Sequence, residues 1–378
     1  MKFETVRPLR EIADIQTGPF GSQLHKEDYV ENGTPIVTVE HLGNRVFTEQ
    51  NLPKVSNEDR ERLNKYVLKT GDIVFSRVGS VDRCSYVDEE HNGWMFSGRC
   101  LRVRTTTQID PLYLYYFFCL ENTRDFVRNI AVGATMPSIN TKLLGEVPVS
   151  IPDLDAQKAI AKVLSAIDDK IELNNKINDN LQQQTQALYQ KYFPETDNAG
   201  KLADLCDFSK DKIAVSELNV KNYFSTENML PDKKGTTEAA NLPAVEQTTA
   251  CHIGNVLVSN IRPYFKKILY CHCEGGCSTD VLCFVPKILE LSAYLYCTLY
   301  ADKFFDFMVA GSKGTKMPRG DKKQIMTYSV CLPSENELKN FNAAVLPMFQ
   351  LIESNRRENA RLSLLRDTLL PKLMAGEI

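Results

Sequence analysis

Two stretches of this chain place an apolar or amide side chain at every seventh position. From Asp153 to Phe193 there is neither Gly nor Pro, and Ile160, Ile167, Asn174, Leu181 and Leu188 recur at that interval, beside Leu164 and Ile171. Phe341, Met348, Asn355, Leu362 and Leu369 repeat the stripe, beside Val345 and Ile352. A seven-residue repeat is the seam of a coiled coil. Forty residues at 1.5 Å each make a rod of roughly 60 Å, and neither rod can bury its stripe alone. The two helices are therefore expected to pair. They are expected to run antiparallel, because a two-fold relating duplicated halves reverses one helix against the other. Asn174 and Asn355, with Asn178 and Asn359, would then lie near the middle, where buried amides set register at some expense of stability. Ser334 to Glu337 has capping-box spacing, Asp153 can cap the first helix, and Pro347 predicts a kink or break in the second.

Ahead of each rod the pattern changes to short β-branched and aromatic runs bounded by Gly or Pro: Thr34 to Val39, Asp72 to Arg77, Val147 to Pro152, and Asn255 to Ser259. Pro111 to Val127 and Leu291 to Met308 carry apolar residues at three and four spacing and predict one buried helix each. The class is α+β, with two β-rich domains related by an internal pseudo-two-fold and joined by two long helices in an antiparallel coiled coil. The expected boundaries are 1–152 for the first domain, 153–193 for the first rod, 194–200 for a linker, 201–332 for the second domain and 333–378 for the second rod.

The halves are a duplication. Shifting the sequence by 181 positions lays residues 97–193 on 278–374 without a gap, with 21 identities in 97 pairs, several-fold above a rough chance level of one in sixteen. Tyr113-Leu114-Tyr115 falls on Tyr294-Leu295-Tyr296, and Gly133-x-x-Met136-Pro137 on Gly314-x-x-Met317-Pro318. Upstream the offset drifts to 183 at Gly71/Gly254 and 193 at Leu9/Leu202. Connections tolerate such drift and core elements do not. A shared frame with different N-terminal loops is how two copies would read different targets.

Composition narrows the function. The apolar runs fall short of the roughly 18 to 20 residues that cross a bilayer, so no membrane is expected. Met1 to Arg7 lacks the apolar stretch of a secretory signal. The eleven cysteines are therefore expected as thiols in the cytoplasm. Net charge is -3, so any basic footprint must be local. One basic patch gathers Lys313, Lys316, Arg319, Lys322 and Lys323, and a smaller one Arg262, Lys266 and Lys267; either alone also fits a solvated face.

Catalysis has no visible seat. Phosphate loops, dinucleotide fingerprints, zinc-protease and nucleophile-elbow motifs, and the Asn-Pro-Pro-Tyr of amino-methyltransferases are absent from the sequence. Cys271-His272-Cys273 with Cys277, Cys251 and Cys283 lacks paired metal knuckles and reads better as buried thiols than as zinc ligands. No cofactor is expected, and a metal at this cluster stays the minor alternative.

Leu9-x-x-Ile12-Ala13-Asp14, Gly71-Asp72-Ile73-Val74-Phe75-Ser76-Arg77-x-Gly79-Ser80, Gly133 to Asn140 and the tail Leu369 to Ile378, in this order and with this repetition, resemble the specificity subunit of Type I restriction-modification systems over nearly the whole chain. The resemblance implies two target-recognition domains, each reading one half of a bipartite site on double-stranded DNA. It implies helices that set the spacing, with readers about one helical turn apart. Its expected partners are methyltransferase subunits, two of them, and through the complex a restriction subunit; S-adenosylmethionine, ATP and metal chemistry would belong to those partners. The candidate DNA-contacting residues are Thr17, Gly18, Phe20, Gly21 and Ser22 against Ser209, Lys210 and Lys212; Arg77 and Ser80 against Arg262, Tyr264 and Lys266; and Lys313, Lys316 and Arg319, since Arg and Lys bind guanine edges or phosphates and hydroxyls do so more weakly. A non-catalytic scaffold that binds protein is the competing reading.

Overall fold

The computed structural model describes residues 5–43, 45–194 and 199–378. Most of the expected linker, 195–198, lies outside them. The chain divides into two compact units: one runs up to Leu173 and resumes at Glu358, and the other spans Asn174–Arg357.

Each unit is built on a four-stranded antiparallel sheet of the same topology. In the first the order is Ala13–Thr17, Cys100–Thr105, Ile73–Ser76, Cys84–Tyr86; in the second it is Cys206–Phe208, Val281–Pro286, Val256–Ser259, Ile268–Tyr270. Both faces of this sheet are covered. Ile73, Phe75, Leu101 and Val103 point into a cluster with the helices, while Val74 and Cys100 point into another with Ile36, Val37 and Phe96. In the second unit Val256, Val258 and Phe284 face the helices, and Leu257, Leu269 and Cys283 face the opposite cluster. Strand alternation produces this division, and it accounts for the cysteines. Cys251, Cys271, Cys277 and Cys283 lie with Phe224 and Met229 on that second face. A hydrogen bond with Cys251 and burial hold the Cys271 thiol well above its ordinary range. Among the described residues no group of three His, Cys, Asp or Glu side chains is placed to hold a metal.

The aromatic run after each sheet forms two helices rather than one. Pro111–Cys119, capped by Asp110, is followed by Glu121–Ile130, and Ser292–Tyr300 by Asp302–Ala310. The chain is extended at Leu120 (ψ 135°) and Ala301 (ψ 142°). The apolar spacing runs through both breaks because each first helix is buried on nearly every side, so periodicity cannot mark its end.

The long helices are Leu154–Tyr192 and Glu335–Met374. Asp153 caps the first through Ala156 N (2.8 Å), and Ser334 and Glu337 form the expected box at the second. The second runs unbroken through Pro347, whose ring is exposed. Ile160 and Leu164 share the first unit's core with Leu370 and Met374, and further along Lys170 pairs with Glu358. In the second unit Asn355 Nδ2 donates to Asn178 Oδ1 (2.9 Å), Thr185 meets Met348, and Tyr189 and Phe193 pack on Phe341. One helix number rises as the other falls, so the pairing is antiparallel in both units. Asn174 is fully buried, Ile167, Ile352 and Asn355 are buried, and Ile171, Leu181, Leu188, Met348, Leu362 and Leu369 are half-buried. No described helix is long and apolar enough to cross a membrane.

Candidate nucleic-acid interface

Where the third strand of each main sheet ends, the chain makes a turn that is locked to the Gly-x-x-Met-Pro loop. In the first unit Ser76 Oγ donates to Val78 O (2.8 Å) and Arg77 N to Arg99 O (2.8 Å). Gly79 N donates to Pro137 O (2.8 Å) and Ile139 N to Arg77 O (2.9 Å). In the second unit Ser259 Oγ donates to Ile261 O (3.2 Å), Asn260 N to Asp280 O (2.8 Å), Arg262 N to Pro318 O (2.8 Å) and Gly320 N to Asn260 O (3.3 Å). The bridges Val78/Ser138 and Val132/Ser138 recur as Ile261/Arg319 and Lys313/Arg319. These are the same bonds, displaced by the offsets of 183 and 181, so each unit presents one frame of two interlocked loops.

What the frames carry differs. In the first, Gly18 and Pro19 are packed inward; a Cβ on Gly18 would lie 2.2 Å from Ser97 O. That close approach turns Phe20 outward, 61% exposed. The Arg77 guanidinium sits 5.8 Å from the centre of the Phe20 ring and donates Nη1 to Gly98 O (3.1 Å). Thr17 closes its strand, Gly21 takes a left-handed φ of 62°, Ser80 is exposed, and the Ser22 side chain lies outside the described residues. Val132 and Met136, exposed on the partner loop, escaped notice because their repeat was read as scaffold.

In the second frame Arg262 occupies the position of Gly79, with a left-handed backbone (φ 49°). The counterpart of Arg77 is Asn260, as the offset of 183 gives it, and it is buried. Tyr264 and Phe265 follow, both exposed, and then Lys266. Ser209, Lys210 and Lys212 do not join this frame. Ser209 Oγ donates to Ala250 O (2.9 Å) and Lys212 enters a strand on Gln247–Cys251. No hydrogen bond or ion pair links them to the Arg262 turn among the described residues.

Most cations here already have carboxylates. Lys313 pairs with Asp321 (2.8 Å), Arg319 with Asp280 (3.1 Å), and Lys266 and Lys233 share Asp302 (2.8 and 2.7 Å). Hydrogen bonds to these carboxylates raise Lys266 and Lys313 above the ordinary lysine value and hold Asp302 and Asp321 below theirs. The more exposed of these pairs, Lys313 with Asp321 and Arg319 with Asp280, are weak and readily exchanged for a phosphate. Lys316 and Arg262 make no ion pair among the described residues, and Arg262 Nε is buried with no partner. Guanidinium and ammonium groups beside exposed aromatic rings suit a polyanion with stacked bases.

Residues 2–183 match the family model of the Type I restriction modification DNA specificity domain. That match, over just under half of the chain, makes it similar to the Type I specificity subunits. Over 99% of its length and 93% of the relative's it is 24% identical to the Type I restriction enzyme MjaIX specificity subunit of Methanocaldococcus jannaschii. It is 29% identical over 149 residues, 38% of this chain and 32% of the relative, to the HindI specificity subunit of Haemophilus influenzae. The crystal structure of the Type I restriction-modification S subunit from M. genitalium superposes with a TM-score of 0.62 at 17% identity, over 98% of this chain and 95% of that one. That likeness establishes the fold. Specificity subunits of this family are in general non-catalytic.

Proposed function

We propose that this chain is a specificity subunit that reads a bipartite site on double-stranded DNA, one half through each globular domain, 1–152 and 201–332. The observation that carries the reading is the repeated frame: the same backbone bonds hold two interlocked loops in both units, while the side chains at matching positions differ. A constant frame with variable tips suits two readers of unlike sequence, because direct readout depends on side-chain placement to within an ångström or so. In the first domain Phe20, Gly21, Arg77 and Ser80 form the contact surface, Phe20 and Gly21 on the stretch that also carries Thr17, Gly18 and Ser22. In the second the surface is Arg262, Tyr264, Lys266, Lys313, Lys316 and Arg319; Ser209, Lys210 and Lys212, beside the Gln247–Cys251 strand, are a separate contact.

The long helices, 153–193 and 333–378, set the spacing of the half-sites and dock two methyltransferase subunits, which in turn recruit the restriction subunit in the cytoplasm. Exposed Val163, Leu173, Leu351, Leu364 and Leu365 on these helices offer the apolar surface such docking needs. The subunit takes no cofactor; the methyl donor, ATP and metal are handled by its partners. Mapping methylated adenines in cells carrying this chain and its partners tests the reading. One bipartite motif is expected, and exchange of residues 201–332 for another member's domain should rewrite one half only. A methylome unchanged by deletion of the chain would refute it.

A further inference from the structure

We infer that the turn Pro263–Phe265 is a base-stacking wedge, which lodges Tyr264 and Phe265 against unstacked bases of the bound duplex and so makes the second half-site sensitive to DNA deformability. The inference rests on the proposed reading of the second domain as a DNA reader, and goes beyond it in naming a mode of contact.

The two rings lie side by side with centroids 4.8 Å apart and are 49% and 39% exposed. They are held out by an unusual backbone. Arg262 (φ 49°) before the turn and Lys266 (φ 50°) after it are both left-handed. The facing loop repeats the feature at Asp232 (φ 55°) and Lys233 (φ 62°). The two loops are joined by Asp232 N donating to Phe265 O (2.8 Å) and Lys233 N to Lys266 O (3.0 Å). Asn51 is the one other described non-glycine residue with positive φ, so left-handed backbone is concentrated at the base of this aromatic tip. Side chains adopt that conformation only when the surroundings impose it, and such sites cluster where geometry serves a ligand.

The scaffold does not demand the tip. In the first unit the same turn has Gly79 where Arg262 stands, and Val81, in the register of Tyr264, is only 2% exposed. Charge favours nucleic acid as the occupant. Arg262, Lys266 and Lys267 lie in or next to the turn, Lys267 over the Phe265 ring, and Lys233 and Lys234 lie on the facing loop, against Asp232, Asp302 and Asp306; Pro318 O ties the turn to the loop that carries Lys316. Apolar or aromatic side chains flanked by cations are the means by which proteins unstack and kink a duplex.

The test uses the full chain assembled with its methyltransferase subunits and duplexes of the mapped motif, with 2-aminopurine placed in turn at each second-half position other than the methylated adenine. The native complex should raise the fluorescence at one step. Tyr264→Ala with Phe265→Ala should abolish that rise and weaken binding about tenfold or more, while Phe265→Leu retains most of both. A double variant that keeps its fluorescence rise and affinity overturns the wedge but leaves the reading of the domain intact. A double variant that instead sheds methyltransferase subunits on gel filtration overturns it in favour of a protein contact. A native complex that binds no duplex removes the domain reading itself, and the wedge with it.

Discussion

Replacing Arg262 by Gly separates what this position contributes to the fold from what it contributes to binding. A side chain in left-handed backbone costs about 1–2 kcal/mol, and Arg262 has φ 49° and ψ 62°. Its Nε is buried without a hydrogen-bond partner, which adds roughly 1–2 kcal/mol of lost hydration. Against these, Gly gives the unfolded chain extra freedom of about 0.5–1 kcal/mol, and the guanidinium stem gives up some packing. The balance is a gain near 1 kcal/mol, read as a higher urea midpoint for the second unit. Binding should move the other way, about tenfold or more weaker, since a guanidinium on a base edge or phosphate contributes about 1–3 kcal/mol. The converse change is informative. At Gly79, φ is +76° and a Cβ would meet nothing within 4 Å, so Gly79→Arg should lower the first unit's stability by about 1 kcal/mol through the backbone alone. If Arg262→Gly lowered stability by more than about 1 kcal/mol with binding intact, the position would be structural and the reasoning wrong.

Other perturbations address the helices and the first reader. Asp168 is nearly buried and accepts from Tyr116 OH (2.8 Å) and Arg366 Nη1 (2.9 Å); Arg366→Ala should cost about 2–3 kcal/mol by stranding the carboxylate, discounted because the Arg is partly exposed. Adding Asp168→Leu should recover much of that loss in urea titrations, and purely additive effects would argue against a coupled pair. Burial, with Arg356 and Arg357 opposing Glu353, lowers His272 to about 4. The unfolded chain then binds a proton below about pH 6.5 that the folded one excludes, so stability is full above that pH and falls as pH drops toward 4, by about 2 kcal/mol at pH 5. His272→Gln should flatten this slope, and an unchanged slope would assign it to other groups. Phe20→Ala should leave thermal melting unchanged, because the ring is 61% exposed, and weaken duplex binding several-fold; a lowered melting temperature would place the ring in the fold rather than the interface.

The duplication and the antiparallel rods were legible because both are periodic, and period survives substitution. The breaks at Leu120 and Ala301 were not, since apolar spacing continues through residues buried on both sides of the turn. Pro347 announced a break that did not occur. Its ring faces solvent, and Phe341, Val345 and Phe349 hold the flanking turns in the core. At the candidate interface the register was legible and the side-chain placement was not. The offset of 183 sets Asn260 against Arg77 and Arg262 against Gly79, but it does not show that Asn260 is buried. Nothing in sequence marks an Arg as left-handed; that follows from bonds to Pro318 and to the Asp232 loop, which only the fold brings together.

The division of the long helices has a consequence for synthesis. The first unit's core contains Leu370 and Met374 beside Ile160 and Leu164, although the whole second unit is translated between them. A ribosome that has finished the first sheet and its helices has therefore made a domain with one wall open. That wall closes after Glu358 emerges. A nascent chain cut short before that point would carry exposed Ile160 and Leu164, a surface that chaperones and proteases recognise, so an intact first reader signals that the second has already been made.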